Sequence, residues 1–479
     1  MAHLMGRSRD QLTLFATRLD EAVGAESPVR VIDDFVETLD LAELGFSNVV
    51  PEEMGRPSYA PGDMLKLYVY GYMNRVRSSR GLEREAGRNV EVMWLICGLT
   101  PAFKTIADFR KDHPRSIVEV CRRFICFCRE AGLIGGALVA IDGSKVQAVA
   151  SRKQVITPKS LAKKLAALEE AIARHLAAMD EADRSEPEDT AAVMDKEAVA
   201  KALAALREKR AKMRQQAEHL AAQGLSQLVV SEPEAKLMRT ARHGHQVAYN
   251  AQSVVDAAHD LIVAFDLVNE GNDQRQLYPM AMQGKEALGV EQVTVVADAG
   301  YSNGEHGRRC AEDGIMAVVP RAATVNPEDQ QYFSRDQFSY DAGSDSWRCP
   351  AGETLTCREV SQSEQKKKYG SDACAGCALK PQCTGAAKRQ IVRHFYEDDR
   401  EAMHQRAIRD PAWMACRRNM VEHPFGTMKW LLGDPRFLVR GLTKAKAELA
   451  LAVMSYNLKR AINVLGVPTL LRRLQPLPS

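Results

Sequence analysis

No stretch of this 479-residue chain approaches the roughly 18 to 20 consecutive apolar residues that span a bilayer, although 45% of its residues are hydrophobic and 27% are charged. A membrane protein is therefore not expected, and a soluble globular one is. Residues 1–10 mix charged with polar groups and lack the apolar core of a secretory signal, so a cytoplasmic location is expected. In that compartment the eleven cysteines are not read as disulfides. Net charge is also scarce, +3 over the whole chain, too little to point to a nucleic-acid partner by itself. The length suggests roughly two to four structural units.

What is present begins with two apolar runs that each end in an acid. Ala137-Leu-Val-Ala-Ile-Asp142-Gly-Ser-Lys sets β-forming residues directly before one carboxylate and a turn, the way a buried central strand delivers an acid to a sheet edge. Residues 293–297, followed by Asp298 and Gly300, repeat the arrangement. Either aspartate alone would also suit a strand-end turn. A third carboxylate, Glu422 in Arg417-Arg-Asn-Met-Val-Glu-His-Pro-Phe-Gly-Thr-Met-Lys429, makes the pair a candidate site for hard divalent cations.

In order and context, Asp142 with its Asp-Gly-Ser, Asp298 with its Asp-Ala-Gly-Tyr, and Glu422 resemble the DDE transposases of bacterial insertion sequences. The third motif of that family runs Tyr-x2-Arg-x3-Glu-x6-Lys. Arg418, Glu422 and Lys429 fall on it, and Ala415 stands at the tyrosine position. The resemblance implies an RNase H-like α/β core, a mixed five-stranded sheet with Asp142 on its first strand and Asp298 at the end of its fourth. It implies two Mg2+ (or Mn2+) ions held by Asp142, Asp298 and Glu422, with Arg418 and Lys429 on DNA phosphates. It further implies cleavage and strand transfer on double-stranded DNA, recognition of terminal inverted repeats by a helical N-terminal domain, and a homodimer assembled on that DNA. An RNase H-like nuclease without strand transfer would use the same three acids. A non-catalytic DNA-binding derivative is the other alternative. His423 and His306 are candidate accessories.

Along the chain, residues 1–135 read as a helical N-terminal domain, with apolar residues at helical spacing over 33–41, 61–76, 79–87, 90–97 and 115–131. The 79–95 stretch suits a helix-turn-helix, followed by Lys104 and the Arg110 and Lys111 pair. Residues 136–157 carry the first core strand. Residues 158–225 read as a helical hairpin insertion with twelve basic and twelve acidic residues over 159–218, joined by an acidic connector at 180–189 that holds Pro187. The core resumes over 226–325, with strands at 246–255 and 261–268, a crossover helix at 273–288, a strand into Asp298, a helix at 304–313 and a strand at 315–320. Residues 326–395 form a cysteine-rich insertion, and 396–479 supply C-terminal helices that complete the core. Residues 384–460 hold fifteen Lys and Arg against eight Asp and Glu, a basic setting for an acidic site.

Six cysteines, Cys97, Cys121, Cys126, Cys128, Cys310 and Cys416, are dispersed among apolar residues and read as buried thiols. Cys349, Cys374, Cys377 and Cys383 are closely set, with a two-residue gap in Cys374-Ala-Gly-Cys377 and a knuckle-like Cys349-Pro-Ala-Gly, and are expected to hold a structural Zn2+. Reduced thiols and an iron–sulfur cluster are the alternatives, and Cys357 is the spare ligand.

Overall fold

The computed structural model describes residues 18–50, 57–184, 190–240, 244–322, 332–433 and 436–475. Residues 1–10 and the Pro187 end of the acidic connector lie outside them.

Six helices come first, α1 Pro28–Glu37, α2 Pro61–Met73, α3 Ser79–Ala86, α4 Val90–Leu95, α5 Phe103–Asp112 and α6 Pro114–Glu130. Prolines open α1, α2 and α6, where a missing N–H costs nothing. Ser78 and Asn89 cap α3 and α4 by accepting from Gly81 N at 3.1 Å and Glu91 N at 3.0 Å. The strand β1 Leu138–Gln147 follows, then a short strand β2 Val155–Ile156 that pairs with β3 Leu228–Val229. Between those two strands stand the long helices α7 Pro158–Arg184 and α8 Thr190–Ala222, which meet through Leu168, Ile172 and Leu203 and an Arg214 to Glu169 ion pair of 2.8 Å.

The sheet is completed by β4 Lys236–Thr240, β5 Gly244–Asp256, β6 Ile262–Val268, β7 Val293–Val296 and β8 Ile315–Val318, with α9 Leu277–Leu288 and α10 Gly304–Glu312 as crossovers. Its order is β4-β5-β1-β7-β8, with β6 also on β5; β1, β5 and β6 are antiparallel, while β1, β7 and β8 are parallel. It has six strands instead of the five expected. β5 is long enough to pair with both β6 and β4, and β4 has a single buried position, Met238, so its sequence carries almost no alternation. The pairing of β1 is unequal. Residues 139–147 pair with β5, but only Leu138–Ala140 pair with β7, so the edge of β1 beyond Ala140 lies open.

A second sheet, order β13-β12-β11-β10-β9, is wholly antiparallel and comprises β9 Ser339–Asp341, β10 Ser346–Arg348, β11 Thr354–Ser361, β12 Lys366–Gly370 and β13 Gln390–His394, with the short helix α11 Lys380–Cys383. It has its own core of Phe338, Trp347, Leu355, Tyr369 and Ile391. The chain ends in α12 Glu397–Arg409, α13 Ala412–Leu431, α14 Leu442–Leu465 and α15 Val467–Leu474. Among the described residues no helix is long and apolar enough to cross a membrane.

The N-terminal helices have no core of their own. Their buried residues, including Tyr68, Tyr72 and Phe124, belong to one cluster with the sheet and with α14, whose Ala447 to Leu458 are all buried. At the centre Arg110 and Glu448 form a 2.6 Å ion pair with side chains 8% and 0% exposed. Glu448 also accepts from Tyr72 Oη at 3.1 Å and from Leu438 N at 2.7 Å. Arg110 is thus spent inside the protein, whereas Lys111 is exposed and reaches only Asp108 and Asp112, at 3.7 and 3.6 Å. Removing one member leaves the other as an uncompensated buried charge, a loss of about 3–5 kcal/mol. Glu448→Ala is expected to lower the denaturant midpoint by that measure, and the paired change Arg110→Met with Glu448→Leu by much less. Equal losses in both proteins would show that the pair is replaceable packing.

Candidate active site in the cleft between β1 and β7

Asp142 lies on the open part of β1, two residues past the last one paired with β7, and Asp298 begins the turn that follows β7. Their carboxylates converge on one guanidinium. Arg417 Nη2 donates to Asp142 Oδ1 at 2.6 Å and to Asp298 Oδ2 at 3.3 Å, with side chains 13%, 22% and 49% exposed in the order Arg417, Asp142, Asp298. Arg417 Nε is buried without a partner among the described residues. Asp298 Oδ1 accepts from Gly300 N at 2.8 Å, which fixes the turn. Burial pushes the Asp142 carboxyl up to about 6; Arg417 and the Gly143 amide pull the other way, and the charges of Asp298 and Asp273 add to the rise. Such an acid gains from any cation set beside it.

Beneath the pair lies a polar network. Asp273 accepts from Asn250 Nδ2 and Gln252 Nε2, each at 2.7 Å, and from Lys145 Nζ at 3.2 Å. Tyr301 Oη donates to Gln252 Oε1, so the turn carrying Asp298 is tied to the strand beside Asp142. Gly143 makes room for this. A Cβ there would stand 2.4 Å from Gln252 Nε2, 2.8 Å from Asp273 Oδ1 and 3.1 Å from Tyr301 Oη. Asp273 belongs to a loop, since α9 begins at Leu277 and not at 273 as its apolar spacing suggested.

Glu422 lies on α13, five residues past Arg417, about 140° around the helix. Met420, Val421, Pro424 and Phe425 face the core beside it, and Glu422 itself is exposed, with no hydrogen bond or ion pair among the described residues. Arg418 and Lys429 are both exposed, the Lys429 ammonium 5.9 Å from the centre of the Phe425 ring. The two histidines have other work: His423 Nδ1 meets Tyr456 Oη at 3.2 Å, and buried His306 receives the Tyr278 N–H on Nδ1 at 3.3 Å. As the side chains lie, no three His, Cys, Asp or Glu among the described residues are arranged to hold a metal ion. The donor chemistry still suits one, because two carboxylates share a position already occupied by a cationic group. Arg417 and Asp273 escaped the sequence reading, the first because the family motif falls on Arg418 and the second because no apolar run leads to it.

In the smaller sheet, Cys349, Cys374, Cys377 and Cys383 line one cavity of about 30 Å3. The Cys349 turn is closed by Gly352 N donating to Cys349 O at 2.8 Å and Cys349 N to Glu353 O at 2.9 Å. Burial raises the Cys383 thiol, Arg389 opposes this, and Cys374, Cys349 and Cys377 add to the rise. Cys357 does not line the cavity; its thiol is 3.7 Å from Glu359 O.

A family model described as a transposase domain (DUF772) matches residues 17–112, and one described as a transposase DDE domain matches residues 348–462. The second span includes the four-cysteine cavity, Arg417, Arg418, Glu422 and Lys429, and neither span includes Asp142 or Asp298. No curated protein matches the sequence. Among solved structures, the cryo-EM structure of a piggyBac transposase synaptic complex with hairpin DNA is similar over 96% of this chain and 80% of that chain, with 9% identity and a TM-score of 0.35. Both matches are to transposase domains, and together they support reading the chain as a DDE transposase.

Proposed function

We propose that this transposase binds the terminal inverted repeats of an insertion sequence and cuts and joins DNA at Asp142, Asp298 and Glu422, on an RNase H-like core. The observation that carries the reading is the convergence of Asp142 and Asp298 on a single cationic group in a cleft at the end of β7. Asp142, Asp298 and Glu422 would hold Mg2+ or Mn2+, which when bound supplies Lewis-acid polarisation of the phosphoryl oxygens and an activated water or 3′-hydroxyl. Arg417 keeps the two aspartates together and places a positive charge in the cleft where a phosphate would lie. Glu422 is exposed to solvent, so it meets an incoming strand without the desolvation that a buried acid would suffer. Arg418, one turn before Glu422, and Lys429, two turns after it, grip phosphates beside the cut. End recognition falls to the helices of residues 1–135, and the active form is a dimer on DNA.

Asp142→Asn, Asp298→Asn and Glu422→Gln should each reduce cleavage of DNA bearing the flanking repeats by on the order of 10³-fold or more, and the triple variant should be no worse than a single one. Binding of the same DNA should persist. Substantial cleavage by Asp298→Asn would reject the triad, while nicked products without any joined ones would favour a nuclease.

The network under the site makes a separate expectation. Asp273→Asn and Tyr301→Phe should each slow cleavage about 10- to 100-fold with melting and DNA binding unchanged. Combining them should add little, because both loosen one link. Additive losses would mean that the two side chains act independently.

For the smaller sheet, we propose that Cys349, Cys374, Cys377 and Cys383 hold one structural zinc, the soft donors in one cavity being its support. Metal analysis should give about one zinc per chain, and Cys374→Ser should lose it and melt earlier. Zinc-free protein of unchanged thermal stability would remove the assignment.

A further inference from the structure

A polar recess whose lining adjoins Asp273 in sequence is used by none of this chemistry. It is an open groove of about 510 Å3, floored by Gln274, Arg275 and the Ser302 to Glu305 segment, and walled by His394, Tyr396, Arg400 and the hairpin tip at residues 362–365 between β11 and β12. Its two sides are locked together. A Cβ on Gly304 would fall 2.0 Å from the Tyr396 carbonyl oxygen, so the first residue of α10 and the chain entering α12 pack backbone against backbone. The groove also begins at the catalytic rim, because Gln274 follows Asp273 and Ser302 is four residues past Asp298. Even a fully extended chain puts Ser302 within about 14 Å of Asp298. That is roughly four steps of the 3.4 Å rise along one DNA strand.

The charges facing the groove are unevenly committed. Glu364 pairs with Lys366 at 2.7 Å, and Glu305 lies in the first turn of α10, capped by Asn303. Arg400 donates Nε to Ser302 Oγ at 3.0 Å, and its Nη groups have no partner among the described residues. The carboxylates nearest to it are taken: Glu397 by Arg335 at 2.8 Å and by the His394 amide at 3.1 Å, and Glu401 by Arg321 at 3.1 Å. Arg275 is exposed and makes no ion pair among the described residues. A half-buried guanidinium whose fork has no carboxylate, with a second unpaired one in the same groove beside Gln274, Asn303, Gln362 and Gln365, fits a phosphate oxygen pair, although Glu305 and Glu364 share the lining.

We infer that this groove is a binding site for the phosphodiester backbone of the DNA strand next to the cleaved bond, with Arg400 and Arg275 as its phosphate contacts and the 362–365 hairpin of the cysteine-rich sheet as its outer wall. The inference rests on the reading of the chain as a DNA-cutting enzyme. The test uses full-length protein and a labelled 30-base-pair duplex of random sequence, with binding followed by fluorescence anisotropy from about 50 to 300 mM NaCl. Arg275→Ala and Arg400→Ala should each flatten the slope of log K against log salt by about 0.9, the value of one lost phosphate contact, and the double variant by about twice that. Gln362→Glu, which adds a negative charge to the outer wall, should weaken binding with melting unchanged. Slopes equal to wild type in stably folded variants would overturn the site. Arg275 bonds to nothing in the described structure, so its variant decides the matter if Arg400→Ala melts early. The parent reading fails separately: it falls if the wild-type protein does not bind the duplex or if Asp142→Asn still cuts.

Discussion

The site depends on an inequality in strand pairing. β1 runs antiparallel to β5 from Val139 to Gln147 but keeps β7 as a neighbour only through Ala140. Had β7 continued alongside, Asp142 would sit between two ladders and Asp298 further along the sheet, with no space between them for a side chain from elsewhere. Because β7 stops, the chain turns away at Asp298, a notch opens against β1, and α13 inserts Arg417 into it. Asp142 is delivered by a rigid hydrogen-bonded strand, and Asp298 by a turn that leaves one and is fixed by its own bond to Gly300 N.

The notch divides the two aspartates electrostatically. Asp142 is mostly buried and has its carboxyl pushed up to about 6 by that burial, whereas Asp298 is about half exposed and anchored by its own turn. Asp142 is therefore costly to ionise without a cation nearby. The floor under them is polar but nearly closed, with Asn250, Gln252, Lys145 and Tyr301 tied to Asp273 and its neighbours; Asn250 Oδ1 and Ser253 Oγ are left without partners among the described residues. A network of that kind specifies one arrangement of its members because any slip strands a buried polar group.

How much of this could be read from residues alone follows from the range of each signal. The strands carrying Asp142 and leading into Asp298, the two long helices after Pro158 and the four neighbouring cysteines were legible because each rests on local periodicity or spacing, but the turn expected after Asp142 was not there, since β1 runs on to Gln147 in its pairing with β5. Arg417 was not, since the helix face that meets the cleft is set by which residues of α13 pack on the core, and that face passes through 417, 421 and 424 instead of 418 and 422. Asp273 has no signature in a loop rich in polar residues. Arg110 looked like part of a basic surface until α14 supplied Glu448 from a position far along the chain, which no window on the sequence can contain. β4 had too little alternation to announce itself.

That long-range partnership also sets a timetable for the newly made chain. The faces of α2 and α6 that hold Tyr72 and Phe124 are covered by α14, which ends at Leu465. At roughly 5–20 residues per second of synthesis, on the order of tens of seconds separate the emergence of α6 from that of α14. During that interval the N-terminal helices carry an exposed apolar face and an unmatched Arg110, so the region cannot settle before the sheet and α14 are made. The sheet, the N-terminal helices and the cleft that holds Asp142 and Asp298 therefore become ordered together, and an N-terminal fragment released early keeps its apolar face uncovered.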